Sequence, residues 1–340
     1  MDRTVKRCRE VRLHAYPDGM IQPRDLSIVE TALPEAGPTD LVVRNRWFRI
    51  SISTRLMANP DAQAVEGIPF PALKPGDALA DGAIGEVVAC PTGSGFEIGA
   101  LVLHPLGWRD YAVVDAGRCM ALDRGPIEPA AYLGHGWTAY AALTRGIRVR
   151  TGDTVFVSSG AGAIGSMAGQ IARRLGASRV IGSTSSQAKA DWMTGDLGYD
   201  AVILRDRGLI ADQLRAAAPE GVDVFVDMVG GEQLAAAAEA ASEGARFVLL
   251  GALTAELNVA GASIVAPVQL DSFQLILKDV TLRGYSADRD HAEAFPDWIA
   301  WQRKAGLHFA CSKVAGLENA PRALRDACEG RLKGLVMVEL

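Results

Sequence analysis

TVFVSSGAGAIGSMAGQIARRLGASRVIGSTSSQAK, residues 154–189, decides how the rest of the chain is read. Val155, Phe156 and Val157 make an apolar run of the kind buried on both faces of a parallel sheet. Gly160-Ala161-Gly162-Ala163-Ile164-Gly165 follows with the spacing G-x-G-x-x-G. Met167, Ile171 and Leu175 then recur every fourth residue, with Arg173 and Arg174 off that face, so a helix is expected until Gly176. Arg179-Val180-Ile181 opens a second strand. In such a unit the first glycine permits a tight bend, the second lets backbone approach a pyrophosphate, and the third lets helix and strand pack closely. The free N–H groups and positive end of the helix receive the diphosphate. G-x-G-x-x-G alone would match by chance in a chain with 36 glycines, but here strand, turn, helix and strand occur in the confirming order. The stretch therefore predicts dinucleotide binding, with Ser159, Gly160, Gly162, Ala163, Ile164 and Gly165 at the cofactor.

The end of the second strand selects the dinucleotide. An NAD site places Asp or Glu about 20 residues past the turn, on the ribose 2′-hydroxyl. This chain has Gly182-Ser183-Thr184-Ser185-Ser186 there, and no carboxylate until Asp191. A carboxylate would repel a 2′-phosphate, whereas Gly182, Ser185, Lys189 and Arg205 can surround one, Arg by its planar fork. Lys189 taken alone reads as a solvated helix lysine; with the acid missing, NADPH is expected.

At 340 residues and 36.0 kDa, two domains are the natural expectation. A net charge of −5 and the lack of a basic stripe with interleaved aromatics argue against a nucleic-acid partner. There is no run of about 18 apolar residues to span a membrane. MDRTVKRCRE is basic but lacks the apolar stretch of a signal peptide. The cysteines (Cys8, Cys90, Cys119, Cys311, Cys328) are odd in number and form no C-x-x-C pair, so a cytoplasmic location with reduced thiols is expected.

Alternating segments at Glu10–Tyr16, Leu26–Thr31, Leu41–Val43, Ala83–Ala89 and 107–114 make the first third β-rich, with Pro and Gly between them. This pattern predicts a partly open β-barrel. A helical period begins near Ile127 and runs from Ala130 to Leu143. Strands near Thr154, Arg179, Ala201, Asp223, Arg246 and Val280 then alternate with helices, including Glu232–Ala241, as in a doubly wound parallel α/β sheet. Leu253–Asp271 has no clear pattern. A capped helix reaches Cys328, and Leu335–Leu340 reads as a strand returning to the first domain. The expected division is 1–125 with 310–340 as a discontinuous substrate domain, and 126–309 as the Rossmann domain.

These residues resemble the zinc-independent medium-chain dehydrogenase/reductases, in the branch of leukotriene 12-hydroxydehydrogenase, prostaglandin reductase and alkenal double-bond reductase, which includes curcumin reductase-like proteins. The carriers are Val43-Arg44-Asn45, Gly107-Trp108 with Tyr111-Ala112-Val113, Thr138-Ala139-Tyr140, Gly162–Gly165, Gly169–Ala172, Asp223–Asp227, Gly230-Gly231, Gly251-Ala252 and Gly316–Pro321. The resemblance spans the chain. It implies a GroES-like first domain, NADPH, a homodimer joined through the Rossmann sheets, and reduction of a carbon–carbon double bond conjugated to a carbonyl. It also carries Thr138, Met228, Gly251, Ala252, Leu253, Tyr285 and Ser286 into the cofactor site.

The substrate wall departs from the family. Where relatives have Ser-Val-Asp-Pro-Tyr-Met-Arg, this chain has Arg49–Arg55 with Ser53 at the tyrosine position and only the arginine, Arg55, kept. The Tyr-Asn pair expected after Gly251-Ala252 is replaced within Thr254–Asn258, a family Phe is Tyr285, a further tyrosine falls at about Asp288, and a cofactor-side Asn is Leu332. Candidate donors or substrate contacts are Tyr285, Ser53, Arg55 and His135, each of which also has an ordinary structural reading. No Cys–His set with zinc spacing occurs, so no metal is expected. Without a Lewis acid an enone is easier to reduce than a ketone, because hydride at the β-carbon leaves an enolate that modest donors stabilise. The expected substrate is a small apolar or aromatic enone or enal. A quinone or an aromatic side chain as substrate, or a regulatory relative that binds NADPH without turnover, are the alternatives.

Overall fold

The computed structural model describes residues 7–64, 72–123 and 127–340. These residues form two compact units. One holds the described residues up to Leu133, together with Val259–Ala262 and Cys311–Leu340; the other holds Gly134–Asn258 and Ser263–Ala310.

In the first unit β1 (Arg7–Leu13) and β2 (Leu26–Ala32) form an antiparallel hairpin. β3 (Asp40–Ile50), β4 (Ala83–Ala89), β5 (Leu101–His104), β6 (Tyr111–Asp115) and β7 (Met120–Ala121) belong to a larger, open sheet. Side chains alternate along β3, so Leu41, Val43 and Phe48 point inward, and Leu41 and Val43 pack with Val87, Val102 and Val114. β1 stops at Leu13 rather than Tyr16, because its pairing with β2 ends at Leu13 opposite Leu26.

The second unit contains β8 (Thr154–Val157), β9 (Arg179–Thr184), β10 (Ala201–Leu204), β11 (Val222–Asp227), β12 (Ala241–Leu249) and β13 (Thr281–Gly284). They form one parallel sheet in the order β10-β9-β8-β11-β12-β13, so the winding reverses between β8 and β11. The apolar runs of β8, β9 and β11 are buried on both faces, and Phe156 stacks on Phe225 at 4.9 Å with Phe247 edge-on at 5.5 Å from Phe225. This is the expected doubly wound sheet. The alanine-rich helix spans Gly231–Glu239, since Ala241 already pairs with Val222 as the start of β12.

β14 (Cys311–Ala315) and β15 (Leu335–Glu339) complete the first unit. β15 returns as anticipated, pairing antiparallel from Val336 opposite Ile50 to Glu339 opposite Trp47. β14, parallel to β15, was not anticipated. The helical period expected over Ala130–Leu143 is broken into Pro129–Leu133, Gly136–Ala141 and a π-type turn, Ala142–Gly146. The break lies at Gly134 to Gly136, and at Gly136 any Cβ would enter the Trp298 ring. The unpatterned stretch begins with a short helix, Leu253–Glu256, after which Val259–Ala262 packs with the first unit.

Candidate functional site

The glycine turn is built differently from the simplest reading of its motif. None of Gly160, Gly162 and Gly165 is left-handed; the residue that turns the chain is Ser159, at φ 51°. Gly160 is required instead by contact, since a Cβ there would fall on the Met193 methyl and within 3.4 Å of the Gly182 backbone. A Cβ on Gly165 would meet the Ser159 carbonyl and lie 2.7 Å from Gly160 Cα. At Gly162 only Ser159 atoms lie within reach of a Cβ, so the turn's backbone is open to a ligand there.

Beneath the turn sits Tyr199, which sequence reading missed. It is buried, donates its hydroxyl to the Gly165 carbonyl at 2.7 Å, and fills the space that side chains on Gly169 and Gly182 would occupy. Burial pushes its phenol far above the ordinary range. The helix above it, Gly165–Arg174, has no side-chain cap and no acid in its first turn. Unpaired N–H groups, the positive end of the dipole and a glycine-lined approach suit a diphosphate.

Ser185 and Arg205 directly follow two neighbouring strands, β9 and β10. Thr184 pairs with Leu204, and Arg205 N donates to Thr184 O at 3.1 Å. Ser185 and Arg205 are exposed. Lys189 lies in the first turn of the helix Gln187–Asp196, whose cap is the Ser186 hydroxyl. Ser183, between Gly182 and this group, is buried and donates to Gln233 Oε1 at 2.5 Å while accepting from Ser159 N.

At the reversal point a second residue missed from sequence appears. Asp227, at the end of β11, is buried. Its Oδ1 accepts from Ser158 Oγ at 2.8 Å, from Val229 N at 2.8 Å and from Gly230 N at 3.0 Å. Ser158 Oγ itself accepts from Met228 N at 2.8 Å. Burial raises this carboxyl, and the donors around it pull the other way. The sequence marked it by an acid ending the apolar run Val224-Phe225-Val226, within the Asp223–Asp227 stretch that carries the family resemblance. Met228 is tied to the segment after β12: Leu250 N donates to Asp227 O at 2.7 Å, and Leu253 N to Met228 O at 3.0 Å. Gly251, Ala252 and Leu253 are thereby held beside Met228.

Tyr285 directly follows β13, and its N–H donates to Leu249 O at 3.0 Å. Its ring covers Gly146, with the Arg283 guanidinium 5.6 Å from the ring centroid. Its hydroxyl donates to Asp290 Oδ2 at 2.5 Å. Burial, then this hydrogen bond and the Asp290 charge, raise the phenol above its usual pKa. Ser286 is exposed. His135 precedes the helix Gly136–Ala141, which carries Thr138, and both side chains are half-buried.

In the first unit Ser53 is half-buried at the start of the helical turn Thr54–Met57. Arg55, in that turn, is 2% exposed and donates from Nη2 to Gly19 O at 3.1 Å. His104 is also buried. Its Nδ1 accepts from Leu106 N at 3.2 Å, and its Nε2 meets Asn45 Oδ1 at 2.8 Å. Asn45 Nδ2 donates to Leu106 O and Arg109 O, which fixes Oδ1 toward the ring and the proton on Nε2. Both ring nitrogens are thus committed within the fold.

A family profile described as the N-terminal domain of oxidoreductase matches residues 9–122, and one described as zinc-binding dehydrogenase matches residues 163–302. The chain belongs to the medium-chain dehydrogenase/reductases. It is 29% identical over 341 residues to an NADP-dependent oxidoreductase of Bacillus subtilis, covering 98% of this chain and 97% of the relative. It is 28% identical over 344 residues to an NADP-dependent 2-alkenal reductase of Nicotiana tabacum, with 97% and 96% covered. The crystal structure of CurA from Vibrio vulnificus in complex with NADPH superposes with a TM-score of 0.84 at 26% identity, over 97% of this chain and 98% of that one. The second profile's description mentions zinc, but among the described residues no group of three or more His, Cys, Asp or Glu is placed to hold a metal ion. The medium-chain reductase fold and its glycine turn are therefore intact, and the turn's glycine-lined, uncapped helix start fits a dinucleotide diphosphate.

Proposed function

We propose that the protein is an NADPH-dependent reductase of the carbon–carbon double bond in small apolar or aromatic enones and enals, and that no metal takes part. The observation carrying the cofactor half is the carboxylate-free stretch Gly182–Ala190, which includes Lys189 in the first turn of the following helix, with Arg205 just past the end of the adjacent strand. When bound, NADPH supplies hydride. The N–H groups of Ala163, Ile164 and Gly165 at the helix start hold the diphosphate, while Ser185, Lys189 and Arg205 hold the 2′-phosphate. Thr138, Met228, Gly251–Leu253, Tyr285 and Ser286 line the remainder and exclude water.

The double bond, rather than the carbonyl, fits the acid groups available. Ketone reduction builds full charge on one oxygen, which calls for a strong donor, whereas an enolate spreads its charge and needs only hydrogen bonds. Tyr285 is the phenol at the end of β13, and its hydroxyl is already given to Asp290. None of Ser53, His135 and Arg55 acts as an obligatory acid. The alkenal and curcumin reductase names among relatives support this substrate class.

The test is oxidation of NADPH by a panel of enones, enals, quinones and simple ketones, with products identified by NMR. Saturated ketones and aldehydes are the expected products. Allylic alcohols, or turnover confined to quinones, would refute the proposal.

A further inference from the structure

Asp227 carries a charge that the fold does not neutralise with another side chain. Its carboxyl receives three donors on Oδ1 and the Gly230 N–H again on Oδ2, at 3.1 Å. Ser158 Oγ in turn accepts from Met228 N. The Val229 and Gly230 N–H groups can only donate, and such donors favour the carboxylate form. Among the described residues no Lys, Arg or His pairs with it. Further compensation comes from the N-terminus of the helix Gly231–Glu239, which begins one residue beyond Gly230 and supplies about half a positive charge.

The position of this charge gives it a use. Asp227 ends β11, and Ser158 follows β8; these are the two strands between which the sheet order reverses. Ser158 N donates to Val226 O at 3.0 Å, which locks the two strand ends together next to the glycine turn. Ligands of such sheets bind outside the strand ends at that point. Of the two cofactor states, only the oxidised nicotinamide ring is a cation.

We propose that Asp227 is a positioning and specificity residue whose buried carboxylate favours binding of NADP⁺ over NADPH, making the bound reduced cofactor a stronger hydride donor. Stabilising the charged, oxidised ring lowers the potential of the bound couple, while the hydrogen bonds to Val229 and Gly230 hold the Met228 loop in place. This inference rests on the NADPH reading above.

The test is titration of the intact protein with NADP⁺ and with NADPH separately, by calorimetry, for the wild type and for Asp227→Asn and Ser158→Ala. Asp227→Asn should raise the Kd for NADP⁺ about fivefold more than that for NADPH, the order expected from about half a charge acting at short range through protein. Ser158→Ala removes one hydrogen bond but keeps the charge, so both Kd values should move together. A purely structural role would move both cofactors equally in Asp227→Asn as well, and that result overturns the proposal. If Asp227→Asn does not fold, the wild type decides: NADP⁺ should bind more tightly than NADPH, and the reverse order overturns the inference. Wild-type protein that binds neither cofactor would refute the NADPH reading itself.

Discussion

His104 shows how one residue ties the stability of the first unit to pH. Burial holds its pKa down at about 3, against 6.5 for a free imidazole. Below pH 6.5 the unfolded chain therefore takes up a proton that the folded chain refuses, and stability falls as pH drops from 6.5 toward 3. At about 1.4 kcal/mol per pH unit, the loss at this residue is about 2 kcal/mol by pH 5. His104→Gln can keep one donor and one acceptor for Asn45 and Leu106 without titrating. Urea unfolding at pH 7, 6 and 5 should show a shallower decline for the variant than for the wild type, and parallel declines would contradict the assignment. Tyr285 offers the matching test on the catalytic side. Tyr285→Phe deletes the hydroxyl bonded to Asp290 and restores the aromatic of the resembling family. Turnover should fall less than about tenfold, under 1.4 kcal/mol of barrier, whereas an essential acid contributes about 10²–10⁴-fold. A thousandfold fall with unchanged NADPH affinity would make Tyr285 the proton donor.

Among the elements, we propose the β9–helix–β10 segment as the one that selects the cofactor. Lys189→Ala should weaken NADPH by about 1.5–3 kcal/mol, the range for a hydrogen bond to a charged group, and leave NADH nearly unchanged. Equal losses in fluorescence titrations of the two cofactors would remove Lys189 from the phosphate site. This segment was legible in sequence because its signal is local: a glycine spacing, an apolar period, and a missing acid at a fixed offset. The six strands and the returning β15 were legible for the same reason. What could not be read was set by contacts distant in sequence. Tyr199 acts on Gly165, Gly169 and Gly182 from across the fold, so the motif shows the gaps but not what fills them. Ser159 takes the left-handed turn that sequence reading gives to glycine, because Gly160 is already spent on close contact with Met193. β14 exists because β15 offers it an edge, and its own sequence, Cys-Ser-Lys-Val-Ala, has little strand pattern. On the substrate side Ser53 and Arg55 were located by their resemblance to a family motif. The burial of Arg55 against Gly19 depends on a loop 36 residues earlier.

At the scale of the whole molecule, the open question is what covers the edge of the Rossmann sheet. β13 ends the strand order, so one side of its backbone is unpaired, and Thr281, Arg283 and Gly284 are exposed. The short helix Ser272–Leu277 leads into it and has no buried residue: Phe273 is 64% exposed, Ile276 73% and Leu277 61%. Ile264 and Val265, at 54% and 68%, lie just upstream. An unpaired edge beside an apolar patch is an aggregation hazard unless something covers it. A second copy is the simplest cover: two β13 strands can pair antiparallel across a two-fold axis, because an isologous contact uses the same patch twice and closes at two copies. We therefore expect a homodimer in which Phe273 and Ile276 are buried. Sedimentation of the wild type over a dilution series should show a dimer. The double variant Phe273→Asp, Ile276→Lys should sediment as a monomer with its circular dichroism unchanged, since neither side chain contributes to the core. A wild type that is monomeric throughout, or a double variant that remains dimeric, would place the contact elsewhere or remove it.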